Sequence, residues 1–118
     1  MASQSPYGAL ISSEQVEGTT VYSTANREQI GEINHLMIDR ATGRVAYAVM
    51  SFGGFLGMGK DHYPVPWSAL KYDTSLEGYV TGITEQQLQN APVTGNASWA
   101  DRNWESRVHQ HYNAPYYW

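Results

Sequence analysis

The stretch Gly54-Phe-Leu-Gly-Met-Gly-Lys60 has the spacing of a phosphate-binding loop, G-x-x-x-x-G-K. In such a loop backbone amides cradle phosphate oxygens, the lysine neutralises them, and a following Ser or Thr holds magnesium. Here Asp61 stands in the Ser/Thr place, and its carboxylate would repel a phosphate. The run follows a strand-like segment but does not open a helix, and the motif works only between a strand and a helix. A structural loop is the better reading. Its glycines permit sharp turns that lay Phe55, Leu56 and Met58 on apolar surface.

The histidines are His35, His62, His109 and His111. His109 and His111 would share a face only on a strand, whereas their surroundings read as helix. On a helix the partner of His109 is Glu105, one turn earlier, and a lone Glu–His pair falls short of a metal ligand set. A solvated helix face is the expectation there. Glu14 with Glu17, and Glu28 with Glu32, are spaced carboxylates on polar segments. A carboxylic acid catalyst needs burial or a close like charge, and nothing in the sequence signals either. No Gly-x-Ser-x-Gly elbow is present. The absence of cysteine removes thiolate nucleophiles, disulfides and cysteine-ligated metals. No catalytic, cofactor-binding or metal-binding residue is assigned, and the chain is expected not to be an enzyme.

These residues must be carried by one domain, since the chain has 118 residues. Charged residues make up 15%, against a usual level of about 25%, and 9 Tyr and 4 Trp replace them. That favours strands and contact surfaces over long solvated helices. The formal charge is -4, and the 7 basic residues are scattered, so no stripe neutralises several phosphates. Composition therefore argues against nucleic acid and anionic membranes as main partners. The longest near-apolar stretch, residues 45–59, is too short and too broken to span a bilayer. With no targeting segment at the N-terminus, the default compartment is the cytoplasm.

Residues 1–9 read as a flexible leader. Ser12-x-x-Gln15 is a capping box for a short helical turn. Strands follow at residues 19–22 and 30–39, the second with imperfect alternation that predicts a bulge near Ile33–Asn34. A hairpin turn with Gly43 at positive φ leads into residues 45–52, apolar on both faces and so a central strand. Pro64 and Pro66 restrict the next strand to an edge. Residues 71–73 and 79–81 form two more strands. Thr84-x-x-Gln87 caps a short helix that Pro92 stops. The pattern predicts an all-β fold, a small closed or nearly closed barrel of about six strands.

The ordered set Gly31-Glu-Ile, Leu36-Met-Ile-Asp39, Thr42-Gly43, the strand from Val45, Gly53-Gly-Phe-Leu-Gly57 and Pro64-Val-Pro-Trp67 resembles a PRC-barrel domain over about Leu10 to Leu88, within a domain expected to span residues 10–92. The resemblance implies a small β-barrel. It also points to docking and not catalysis, because the family includes the cytoplasmic domain of the photosynthetic reaction centre H subunit and a domain of a ribosome maturation factor. Many members are stand-alone bacterial proteins. This chain lacks the membrane helix of the first and the N-terminal domain of the second, so their partners do not carry over.

Residues 93–118, a linker and an aromatic tail, lie outside that pattern. The tail contains Trp99, Trp104, Tyr112, Tyr116, Tyr117 and Trp118, too many aromatics for a disordered segment. Its middle, residues 100–112, reads as helix with Trp104, Val108 and either His111 or Tyr112 on one stripe. Either the tail packs over the barrel or it meets a partner. With Phe52, Phe55, Leu56, Met58 and Trp67 it makes the candidate interface, since a small barrel cannot hold all these side chains inside. The sequence-level reading is a self-associating protein–protein docking module, with a homodimer expected and no cofactor. A small-ligand or metal-binding barrel and an RNA- or ribosome-associated factor remain alternatives, the acidic balance speaking against RNA.

Overall fold

Ser12 opens the first ordered element. Its hydroxyl accepts from the Glu14 amide, and Gln15 reaches back to the Ser12 N–H, completing the expected capping box of α1 (Ser13–Val16). A computed structural model describes residues 9–51, 62–92, 94 and 98–118. After α1 come six strands: β1 (Thr20–Ser23), β2 (Gln29–Ile38), β3 (Val45–Ser51), β4 (His62–Pro66), β5 (Leu70–Asp73) and β6 (Gly78–Thr81). Two short helices follow, α2 (Glu85–Gln89) and α3 (Arg102–His111). The loop containing Phe55, Leu56 and Met58, and Phe52 beside it, lie outside the described residues.

The strands form one sheet in the order β4-β3-β2-β1-β6-β5, antiparallel except where β1 runs parallel to β6. The bulge anticipated near Ile33 is present: Ile33 pairs with Met50 while His35 pairs with Val49, so Asn34 is the extra residue. Gly43 takes φ 78° in the β2–β3 hairpin, as its lack of a Cβ allows. β3 has neighbours on both sides and a run of five buried residues, the pattern of a strand covered on both faces.

Barrel closure is corrected by the ladder. Among the described residues no rung joins β4 to β5. Pro64 and Pro66 explain this, for they bring no N–H to the free edge of β4. The chain nevertheless bends the sheet round. β4 and β5 are its two edges, yet only the 3-10 turn Trp67–Ala69 separates them in sequence. Four Cα steps reach at most about 14 Å. Five strand spacings in a flat sheet span about 24 Å. The sheet must therefore curl until its edges approach.

Register sorts the core into two faces. On one, Met50 lies between Ile33 and Tyr63, and Ala48 between Leu36 and Val65. Ile33, Ala48, Met50 and Val65 are all buried there, and Val21, Leu70 and Tyr79 belong to the same cluster. On the other face Tyr47 lies between Met37 and Pro66, and Val49 between His35 and Pro64. That second face carries Tyr47 beneath α3, and it is where the functional side chains collect.

Candidate functional site

Asp101 caps α3 by accepting the Asn103 amide at 2.9 Å. The predicted stripe is real: Trp104, Val108 and Tyr112 repeat every four residues and all are buried. Trp104 packs against Tyr47 at 6.2 Å between ring centroids and against Trp99 at 5.2 Å. The neighbouring row is where the structure departs from the sequence. Glu105 and His109, expected on a solvated face, are 6% and 1% exposed. Their helix row is covered because the chain beyond α3 returns over it.

That return is made by a Schellman motif. The Ala114 amide donates to the His109 carbonyl at 2.8 Å and the Asn113 amide to the Gln110 carbonyl at 3.2 Å, with Asn113 at φ 55°. The final residues then run back beside α3. Tyr117 donates its hydroxyl to Oε1 of Glu105, and Tyr47 of β3 donates to the same oxygen at 2.9 Å. Arg102 holds Oε2 at 3.7 Å. The Nδ1–H of His109 donates to the Glu105 carbonyl at 2.7 Å. The imidazole sits among Tyr47, Tyr116, Tyr117 and Trp118, at centroid distances of 5.3 to 5.8 Å.

The electrostatics fit a structural anchor. Burial, and then the Glu105 carboxylate, push the Tyr47 phenol far above its usual range. For the same reasons Tyr117 is pushed up to about 12, with Arg102 opposing. Both phenols therefore stay protonated at neutral pH and act as donors, which a buried carboxylate requires.

What faces outward is the far side of this anchor. Tyr116 and Trp118 stack at 4.4 Å with planes 7° apart, and they are 44% and 46% exposed. The Arg102 guanidinium lies 4.0 Å from the Trp118 ring centroid. Of the other candidate interface residues, Trp104 and Tyr112 are buried in the fold. Trp67 and Trp99 are partly buried, against Tyr79 and Tyr47 respectively. At the end of the tail, large aromatics and a cation meet at the surface.

A second feature lies between the sheet and the C-terminal elements. A cleft of about 680 Å³ has His35, Val49, His62, Tyr63 and Pro64 of β2–β4 on one side and residues of α2, α3 and their connection on the other. His35 and His62 come from strands that β3 separates, and their rings meet edge-on at 6.1 Å. Sequence spacing does not reveal this pair, since it depends on strand order and on the bulge at Asn34. The Glu105–His109 pair had a local signal, namely its position one residue beyond the Trp104/Val108 stripe.

The family model of the PRC-barrel domain matches residues 10–86 of the chain. The chain belongs to the PRC-barrel family. The PRC-barrel match includes all six strands and ends inside α2, so α3 and the aromatic tail lie beyond the matched residues. No curated protein matches the chain. No helix among the described residues is long and apolar enough to cross a membrane.

Proposed function

We propose that this PRC-barrel chain is a non-catalytic docking module of the cytoplasm that associates with a second copy of itself through the end of its tail. The observation that carries this reading is the exposed Tyr116–Trp118 stack with Arg102 against it. Trp, Tyr and Arg are the residue types that dominate binding hot spots. These three are held in place through Glu105 and His109, so little side-chain entropy remains to be lost on contact. An acidic chain without a basic stripe also suits a protein partner better than a polyanion.

Light scattering after gel filtration should give a mass near twice 13.2 kDa at micromolar concentration. Trp118→Ala should shift the chain to monomer while leaving its far-ultraviolet circular dichroism unchanged. A monomer at high micromolar concentration, with Trp118 intact, would remove the self-association reading.

A further inference from the structure

We infer that His35 and His62 form a two-imidazole site for a divalent transition-metal ion, of the Zn²⁺ and Cu²⁺ class, on the wall of the cleft. The bulge in β2 is what brings the pair together. Val49 and Ser51 lie on one face of β3, two residues apart, and they stand opposite His35 and His62 respectively. An unbroken register from Glu32 opposite Ser51 and Ile33 opposite Met50 would set Asn34 against Val49 and turn His35 to the other face. The extra residue moves His35 onto the face of His62. Bulges re-aim side chains in this way beside functional sites.

Two further observations suit an ion. The ring centroids are 6.1 Å apart. With metal–nitrogen bonds of about 2.1 Å, two imidazoles on one ion have centroids about 5.3 Å apart at the tetrahedral angle and about 6.5 Å apart in the linear limit. The observed separation lies inside that window. In addition, the Asn34 side-chain oxygen accepts the Nδ1–H of His35 at 2.7 Å. Ligating histidines commonly have the second ring nitrogen held in this way, and here it leaves Nε2 for the ion. Binding displaces any proton that the ligating nitrogens carry, so the site requires no particular resting charge on either ring.

The surroundings set the class of ion. Among the described residues no third His, Cys, Asp or Glu gathers with the pair. Imidazole donors without carboxylates favour Cu²⁺ and Zn²⁺ over Mg²⁺ and Ca²⁺, which take oxygen ligands. Both histidines line the cleft of about 680 Å³, which has room for the waters that complete the coordination. No Lys or Arg is among the described lining residues, so no fixed cation there repels the ion.

The test is titration of the untagged full chain with Zn²⁺, read through the imidazole nitrogen resonances. One ion per chain should shift His35 and His62 together along a single binding curve and leave the buried His109 in place. Mg²⁺ at the same concentrations should shift none of them. Outer partners of metal-bound histidines are typically worth about tenfold or more in affinity. Asn34→Ala should therefore weaken Zn²⁺ binding about tenfold, and His35→Gln or His62→Gln at least as much. Asn34 is a positioning residue, so Asn34→Asp, which still accepts the Nδ1–H, should restore the affinity that Asn34→Ala loses. His35 is half-buried and His62 exposed, so these variants should keep the parent far-ultraviolet circular dichroism. The titration of the parent chain decides the question even where a variant loses its fold. The inference is overturned by histidine resonances that Zn²⁺ leaves in place, by His35 and His62 shifting along separate curves, or by affinity that survives either histidine substitution.

Discussion

The Tyr47 hydroxyl donates to Oε1 of Glu105 at 2.9 Å, and 58 residues of chain separate the two. This bond joins the middle of the sheet to a helix that lies beyond the family match. Both groups are buried, so the Tyr47 hydroxyl depends on Glu105 for a partner that water no longer supplies, while Glu105 is held by Tyr117 and Arg102 as well. Glu105→Ala should therefore destabilise the chain by about 2–4 kcal/mol, because it strands the Tyr47 phenol. Tyr47→Phe should lose about 1–3 kcal/mol. Urea denaturation of Tyr47→Phe/Glu105→Ala should show a loss smaller than the sum of the singles, since the Tyr47 phenol that Glu105→Ala strands is absent from the double variant.

Alkali should weaken the fold through its tyrosines. Tyr47, Tyr112 and Tyr117 have phenols raised by burial, with Glu105 adding to the shift of Tyr47 and Tyr117. The unfolded chain loses these protons near pH 10, before the folded chain does. Their contribution is thus complete below about pH 10 and declines as pH rises above it, by up to about 1.4 kcal/mol per pH unit for each phenol. Denaturation series between about pH 9 and pH 11.5 should show this decline. Tyr47→Phe should make the slope shallower; an unchanged slope would mean that its phenol ionises as readily folded as unfolded.

Asn113 turns the tail back at φ 55°, a conformation that β-branched residues resist. Asn113→Gly should keep or raise the melting temperature, and Asn113→Val should lower stability by about 1–2 kcal/mol. Near-ultraviolet circular dichroism should register the second change most strongly, since it loosens the Tyr116, Tyr117 and Trp118 rings around His109.

The parallel pairing of β1 with β6 leaves no room at Gly78. A Cβ there would stand 2.7 Å from the Thr20 carbonyl oxygen and 3.0 Å from the Tyr22 ring. The first neighbour is backbone, so the strands themselves would have to part. Gly78→Ala should lower stability by about 1–3 kcal/mol, with amide exchange accelerated in β6 before the β2–β3 hairpin.

Much of the local structure could be read from the residues alone. Both capping boxes formed, because Ser12 with Gln15 and Thr84 with Gln87 need only one helical turn to meet. Gly43 took its positive φ, the bulge fell at Asn34, and Pro64 and Pro66 kept β4 at an edge. Each of these is decided by sterics or hydrogen bonding within a few residues. Long-range facts were not legible in the same way. Glu105 and His109 look like a solvated pair until Asn113 folds the tail over them and Tyr47 arrives from β3. His35 and His62 become neighbours only through strand order, and Tyr112 loses its hydrogen-bond partner only by burial. Polar residues at helical spacing carry no mark of what will cover them. Burial is a property of the packed chain, and it turned this carboxylate and imidazole into an anchor and left one phenol unpaired.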